Sequence, residues 1–160
     1  MGYVIVRAGR ADVAALADQR LAFLHALGRD VADEAGLRAD MARYVEAELD
    51  DRLIAFLARD EGTGHVVGSA LLAVVRRPPG GRHGNGRMGL VLNVYTEPAH
   101  RRRGVARGLL EAVVAAAREA GIDRLELAAT PAGLRLYEAV GFTVDRSGNV
   151  PMELLLGPAS

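Results

Sequence analysis

The chain has 160 residues, half of them apolar, with 20 basic residues balanced by 20 acidic residues and with no cysteine. This composition suits one domain over residues 1–160, and it excludes disulfides, thiolate chemistry and a protein that binds nucleic acid chiefly through its phosphates. No run approaches the ~20 apolar residues of a membrane span and no apolar signal core is present, so we expect no membrane partner and a cytoplasmic location.

The first half of the chain predicts one strand, two helices and a β-hairpin. Apolar residues alternate at the start, whereas around Leu16 and Met41 they recur every three or four positions, as on one face of a helix. Two strand-like runs then flank Asp60-Glu-Gly-Thr-Gly, which has the composition of a hairpin turn. The predicted elements are a strand at 3–7, a helix from Val13 to near Gly28, a helix at 37–49, and strands at 52–59 and 65–75.

The second half begins with a loop and then alternates strands with helices. Residues 76–87 read RRPPGGRHGNGR, in which two prolines and four glycines among polar residues indicate an exposed hairpin loop. Gly121 and Gly141 each follow an apolar helical pattern, in the usual place of a helix C-terminal cap. The predicted elements are a strand at 88–96, a turn at 97–103, an alanine-rich helix at 104–120, a strand at 124–128, a helix at 131–140, and strands at 142–146 and 150–156.

The junction between the strand at 88–96 and the helix at 104–120 has the features of an anion site. The first N–H groups of a helix have no carbonyl partner, and the helix dipole favours negative charge there. Gly104, Ala106 and Gly108 keep side chains away from a ligand. Four arginines surround these small residues: Arg101, Arg102, Arg103 and Arg107. Without an anion their charges would oppose the dipole, so the pattern predicts a bound pyrophosphate; the alternative is a solvated arginine cluster on an ordinary helix.

Two motifs carry a resemblance to a known family. Arg101-x-x-Gly104-x-Ala106, placed after a strand, resembles the Arg/Gln-x-x-Gly-x-Gly/Ala loop of the GNAT superfamily of N-acetyltransferases. The segment from Leu136 to Phe142, LYEAVGF, is similar to the Leu-Tyr-Glu-x-x-Gly-Phe segment of that family. The resemblance implies an α/β (α+β) fold, in which a mixed, mainly antiparallel central sheet of about seven strands is flanked by about four helices. It also implies acetyl-CoA as the co-substrate.

The resemblance further implies which residues bind acetyl-CoA. The sheet of this family splays open at a place that corresponds to residues 93–95, where the pantetheine arm enters. Three residues would line this slot, namely Val94, Tyr95 and Thr96. The pyrophosphate would lie on the loop formed by Arg101, Arg102, Arg103, Gly104, Val105, Ala106 and Arg107. Thr130 stands where many relatives have an asparagine that holds the CoA arm, and it offers a shorter hydroxyl instead.

Acetyl transfer from a thioester needs a proton for the departing thiolate, donors for the oxyanion and an uncharged amine. By similarity, Tyr137 would give the proton, because a phenol with a pKa of about 10 is protonated at neutral pH; its other reading is a packed aromatic residue. A backbone N–H within residues 93–95 would stabilise the oxyanion. Glu97 is the nearest carboxylate that could accept the proton of the amine, with transfer through water as the other route.

Three further patterns carry less weight. Gly84-x-Gly86-x-x-Gly89 has the letters of a dinucleotide fingerprint, but it precedes a strand, whereas that fingerprint opens a helix, which argues against a Rossmann oxidoreductase. The four histidines have no ligand spacing, so we expect no metal site. The acidic residues between the first two helices either attract a cationic amine or form a solvated connection: Asp30, Asp33 and Glu34.

The sequence thus predicts an N-acetyltransferase that moves an acetyl group to a primary amine of a small molecule or peptide by direct attack in a ternary complex. The alternative is a non-catalytic acyl-CoA-binding regulatory module of the same fold. Such a module needs the phosphate site but no proton donor beside the sulfur, so Tyr137 favours the enzyme. The residues do not select one amine, and they leave a homodimer open.

Overall fold

A computed structural model of the chain describes residues 2–157, apart from the side chain of His83. Within these residues the strands are β1 (Tyr3–Arg7), β2 (Leu53–Asp60), β3 (Val66–Arg76), β4 (Arg87–Thr96) and β5 (Arg124–Glu126). They form one sheet in the order β1-β2-β3-β4-β5. The first four strands pair antiparallel, and β5 runs parallel to β4. This confirms the predicted fold class, including the two hairpins β2–β3 and β3–β4.

The described helices are α1 (Val13–Ala26), α2 (Glu34–Glu48), α3 (Val105–Glu119) and α4 (Leu134–Val140). Helix α2 begins where the Asp33 carboxylate accepts a hydrogen bond from the Gly36 N–H at 2.8 Å, as an N-cap residue does. Helices α3 and α4 are followed by Gly121 and Gly141, whose φ values of 67° and 109° suit a residue without Cβ. The C-terminal signals of α3 and α4 are therefore read correctly from the sequence, whereas α2 begins at Glu34 rather than at the predicted residue 37.

The sheet buries both of its faces. Neighbouring residues of a strand point to opposite faces, so the nearly continuous apolar sequence of β2 fits a strand covered on both sides. Leu53 packs in one cluster with Leu16 of α1 and residues of α2. Ile54, the next residue, packs in the other cluster with Leu109 of α3. Helices α1 and α3 therefore lie on opposite faces of the sheet.

Strands β4 and β5 separate after a short stretch of pairing. β5 pairs with residues 88–90 of β4, and the described residues place no strand beside the remainder of β4 on that side. A β-bulge follows in β4, where Asn93 has a φ of 52° and the pairing with β3 shifts register between Ser69 and Leu71. The Asn93 side-chain amide donates to Ser69 Oγ at 3.0 Å and holds the bulge from within the sheet. The sheet therefore opens beside the bulged part of β4.

The last two predicted strands do not form in the described part of the chain. Residues 142–146 and 150–156 adopt no strand, so the sheet has five strands rather than about seven. Phe142 still packs on the core, but Val150 and Leu156 are 78% and 88% exposed. An extended segment becomes a strand only when its backbone groups pair with a neighbour, and the local residue pattern does not specify that neighbour. The second edge of β5 stays without a strand among these residues.

Candidate functional site

A cleft of about 670 Å³ lies where β4 and β5 separate. Its walls come from the free edge of β4, the N-terminus of α3, helix α4 and the second half of α1. Because α1 and α3 cover opposite faces of the sheet, the cleft connects the two faces past the edge of β4. The predicted site residues in its lining are Val94, Tyr95, Thr96, Arg101, Arg102, Gly104, Val105, Ala106, Arg107, Thr130 and Tyr137. Arg103 and Glu97 are not part of that lining.

The N-terminus of α3 presents unpartnered backbone donors to the cleft. Gly104 has a φ of 83° and turns the chain into the helix, and a Cβ at this position would meet no atom within 4 Å. The first helical hydrogen bond runs from the Gly108 N–H to the Gly104 carbonyl oxygen at 2.9 Å. The N–H groups of residues 105–107 have no acceptor in the described part of the chain. Such donors, together with the helix dipole, suit an anion.

The four arginines of the predicted loop have different surroundings. Arg101 donates from Nε to the Thr96 carbonyl oxygen at 3.1 Å, which ties the loop to the end of β4. Arg107 pairs with Glu111 one turn later, at 2.8 Å. The Arg103 guanidinium carbon lies 5.4 Å from the centre of the Tyr3 ring, outside the cleft lining. Arg102 is exposed in the lining, with a φ of 58°. Positive charge thus surrounds the helix N-terminus, and Arg101 and Arg107 are held in place.

The bulge decides which part of β4 faces the cleft. Ser69 pairs with Tyr95 and Leu71 pairs with Leu92, so the two residues between them on β4 lie outside the regular register. A bulge of this kind leaves backbone groups without a strand partner and turns side chains toward a site. Tyr95 is largely buried, and its burial, followed by the nearby Glu97 carboxylate, raises the pKa of its phenol. The Thr96 hydroxyl oxygen is buried with no hydrogen-bond partner among the described residues.

Tyr137 lies on α4 with its ring half-buried against the core and the cleft on its other side. Its ring meets the Phe142 ring edge to face, with 6.1 Å between the ring centres. Burial raises the pKa of the Tyr137 phenol above its usual value, because the charged phenolate is poorly solvated there. The phenol therefore keeps its proton at neutral pH.

The turn before α4 determines where the Tyr137 ring lies. Thr130 Oγ1 accepts a hydrogen bond from the Gly133 N–H at 3.3 Å, which orders the turn. A Cβ on Gly133 would lie 3.0 Å from Cε2 of the Tyr137 ring, closer than side chains normally approach. Glycine at this position therefore lets the ring pack against the turn.

Glu97 points away from the cleft. Its carboxylate oxygens both lie 3.1 Å from Nε2 of His65, at the start of β3. The Glu97 backbone N–H donates to the Val67 carbonyl oxygen at 2.9 Å, so the residue continues the pairing of β4 with β3. His100 does line the cleft, and its Nδ1 lies 3.0 Å from the Tyr3 hydroxyl.

Sequence reasoning named none of the individual residues that α1 supplies to the wall of the cleft. Arg20, Phe23, Ala26 and Leu27 line the cleft on this side. The apolar stripe of α1 was visible in the sequence, but Arg20 was one of many arginines in a chain whose basic residues are all arginine. Its position became evident only from the fold, which brings it to Asn93.

The acidic connection before α2 has structural contacts of its own. Asp33 caps α2, and Glu34 pairs with His25 at 3.1 Å and with Arg38 at 3.7 Å. Neither these carboxylates nor Asp30 belong to the cleft lining. Among residues 2–157, no group of three or more histidine and carboxylate side chains is placed to hold a metal ion. Over the same residues, no helix combines the length and the apolar character that crossing a membrane requires.

Comparisons with known proteins agree with this geometry. The profile of the acetyltransferase (GNAT) family matches residues 19–142. A predicted acetyltransferase with acetyl-CoA from Clostridium acetobutylicum is 25% identical, with a TM-score of 0.83 over 95% of this chain and 96% of that chain. A GCN5-related N-acetyltransferase from Ralstonia eutropha is also 25% identical, with a TM-score of 0.78 over 94% of this chain and 99% of that chain.

More distant matches share the fold alone. Glucosamine-6-phosphate N-acetyltransferase from Arabidopsis thaliana is 13% identical, with a TM-score of 0.74 over 98% of this chain and all of that chain. No protein with a curated description matches the sequence. Because the family profile covers most of the chain and includes the arginine-rich loop and Tyr137, the chain belongs to the GNAT family of acetyltransferases.

Proposed function

We propose that the protein is an acetyl-CoA-dependent N-acetyltransferase that moves an acetyl group to a primary amine of a small molecule or peptide. The observation that carries the proposal is that the Tyr137 ring and the unpartnered N–H groups of α3 line one cleft. A proton donor and an anion site therefore line the same cleft, where one acetyl-CoA molecule would contact both. We further propose that residues 1–160 act as one domain, since every described strand belongs to one sheet.

We assign the pyrophosphate of acetyl-CoA to the N-terminus of α3. The fit rests on three features of the chain: the free donors of residues 105–107, the open space beside Gly104, and the nearby guanidinium groups. Arg102 is free to contact a phosphate directly, while Arg103 adds charge from its position over Tyr3. The pantetheine arm would follow Val94, Tyr95 and Thr96 along the unpaired edge of β4, past the Thr130 hydroxyl.

Acetyl-CoA would supply the thioester, and the residues of the chain would orient it and control the protons. The amine nitrogen attacks the acetyl carbonyl carbon, the new C–N bond forms and the C–S bond breaks. The Tyr137 hydroxyl gives its proton to the departing thiolate sulfur and is reprotonated from solvent. Backbone N–H groups of the bulge at Asn93 and Val94 would stabilise the oxyanion, since they lie outside the regular pairing of the strand.

Two routes exist for the proton that the amine loses. Glu97 was the nearest carboxylate in the sequence, but its oxygens contact His65 and it is not part of the cleft lining. No other aspartate or glutamate of the described residues belongs to that lining either. These contacts support transfer to water rather than to Glu97 as the general base.

The assembly and location of the protein belong to the same proposal. The exposed apolar residues near the end of the described chain, of which Met152 is 92% exposed, support a homodimer. The cytoplasmic location stays a prediction.

The first experiment is a thermal-stability comparison with acetyl-CoA, CoA, dephospho-CoA, NAD and ATP. A ligand at 100 times its dissociation constant should stabilise the fold by about 2.7 kcal/mol. Stabilisation by CoA species only, followed by amine-dependent release of free thiol from acetyl-CoA, supports the proposal. Stabilisation by CoA without thiol release from any amine class would favour the regulatory module, and no response to CoA would contradict both.

A further inference from the structure

Arg20 is a half-buried arginine in the wall of the cleft, and it has no carboxylate partner among the described residues. Its Nη1 donates a long hydrogen bond of 3.4 Å to Asn93 Oδ1. Its guanidinium carbon lies 5.7 Å from the centre of the Phe23 ring. The guanidinium group therefore has a defined position, one neutral acceptor and unused donors.

Two other arginines beside α1 are paired with acids. Arg38 contacts Asp18 at 2.7 Å, and Arg59 contacts Asp12 at 2.6 Å. A partly buried charge without a counter-charge is unfavourable unless another group compensates it. The pKa of Arg20 is lowered first by burial, since the charged guanidinium is less well solvated there, and then by the positive charge of the nearby Arg29. An anion is the group that would compensate it.

Arg20 is separate from the arginines at the N-terminus of α3. Helices α1 and α3 lie on opposite faces of the sheet, and the opening at the β4 bulge connects them. An anion on α3 therefore leaves Arg20 unoccupied on the other side of the opening. This side is where an amine must enter if the acyl donor approaches from α3.

The wall around Arg20 combines one cation with apolar surface. Phe23, Ala26, Leu27 and Leu92 line the same end of the cleft. No described lining residue is aspartate or glutamate, so a second ammonium group on the acceptor would meet positive charge and no carboxylate. The planar guanidinium fork suits a carboxylate or phosphate, with which it forms two parallel hydrogen bonds.

We propose that the acceptor is an amine that also bears an anionic group, a carboxylate or a phosphate, and that Arg20 binds this group at the α1 end of the cleft. The inference rests on the proposed N-acetyltransferase function and narrows its substrate class. Polyamines and other polycationic amines are poor acceptors on this basis. Arg20 acts in substrate specificity and takes no part in proton transfer.

The test compares amines that differ in the anion. One pair is leucine and leucinamide, a second pair is O-phosphoethanolamine and ethanolamine, and spermidine represents polycations. We expect wild-type kcat/KM to be about tenfold or more higher for the anionic member of at least one pair. A preference in the leucine pair identifies the recognised anion as a carboxylate, and a preference in the phosphoethanolamine pair identifies it as a phosphate. Higher kcat/KM for the neutral members or for spermidine would overturn the inference.

Variants at position 20 separate recognition from structure. In Arg20→Gln the preference should collapse through a rise in the KM of the anionic amine, while kcat/KM for its neutral counterpart and the KM of acetyl-CoA change less than about twofold. Arg20→Lys should retain part of the preference, because it keeps the charge and loses the fork. Arg43→Gln, at an exposed position of α2, is the matched control. An equal loss for both members of a pair in Arg20→Gln would show a merely structural role.

A binding measurement keeps this inference distinct from the proposed activity. If no amine is acetylated although CoA binds, the proposed function has failed. Thermal stability in the presence of CoA is then compared with added N-acetylleucine, N-acetylleucinamide, O-phosphoethanolamine and ethanolamine. Stabilisation by an anionic compound in wild type, lost in Arg20→Gln, supports the anion site at Arg20. Equal responses to charged and neutral members, or none, overturn it.

Discussion

Both carboxylate oxygens of Glu97 lie 3.1 Å from Nε2 of His65. This pair connects the end of β4 to the start of β3, on the outside of the cleft that contains Tyr137. The carboxylate closest in sequence to the reacting region is therefore engaged in a contact between two strands. The arrangement favours a structural role for Glu97, as a contact between β3 and β4, and a water-mediated route for the proton of the amine.

The substitution Glu97→Gln tests that assignment. It preserves the size of the side chain and removes its charge, so we expect kcat to stay within about threefold of wild type, since a general base contributes about 100-fold or more. His65→Gln, which changes the other partner of the pair, should have an effect of similar size. Steady-state kinetics over pH 6 to 9 would check both variants. A fall of kcat by about 100-fold in Glu97→Gln alone would restore Glu97 as the base.

Replacement of Tyr137 by phenylalanine should remove the proton donor and little else. The ring contact with Phe142 is kept, so we expect kcat to fall about 100-fold while the KM of acetyl-CoA changes less than about twofold. Tyr44→Phe, outside the cleft lining, is the control for loss of a phenol hydroxyl. Full turnover by Tyr137→Phe would contradict the assignment of the acid.

The pH dependence of kcat gives a second test of the same residue. The donor works only when protonated, and burial raises the pKa of Tyr137 above the usual value of about 10. Deprotonation of Tyr137 should therefore lower kcat only when the pH exceeds about 10. The residual activity of Tyr137→Phe should lack that decline. The measurement is kcat at saturating substrates up to the pH at which the fold is lost. If wild type and Tyr137→Phe show the same alkaline decline, the group that titrates is not Tyr137.

Two glycines provide a matched test of the anion site. Gly104 and Gly121 have φ values of 83° and 67°, and a Cβ on either one would meet no atom within 4 Å. Alanine at either position should lower the free energy of unfolding by about 1 kcal/mol, from backbone strain alone. Only Gly104 lines the cleft, so only Gly104→Ala should reduce the thermal shift with CoA. Equal shifts in the two variants would argue against the N-terminus of α3 as the phosphate site.

Features with local signals could be predicted, and features that depend on distant partners could not. The β2–β3 hairpin and the ends of α3 and α4 follow from turn and cap residues within a few positions. The role of Arg20 depends on Asn93, 73 residues later, and on a bulge that shifts the register of β4. The prediction of a strand at 142–146 was wrong for the same reason, because an alternating residue pattern does not specify which strand must pair with it. Asp145 there bonds to Arg82 and to the Ser147 N–H instead.

The exposed apolar segment at 150–156 predicts self-association. Its residues Val150, Met152, Leu154, Leu155 and Leu156 are 78–92% exposed, and β5 has a free edge within the described chain. Exposed apolar side chains grouped in one segment are typical of interfaces, because their burial is favourable by about 25 cal/mol per Å². We expect light scattering to report a dimer, and the double substitution Leu154→Ser with Leu156→Ser to give a monomer with an unchanged circular dichroism spectrum. The control is Val4→Ser on the edge strand β1, which should leave the dimer intact. A wild-type protein that is monomeric at micromolar concentrations would exclude this interface.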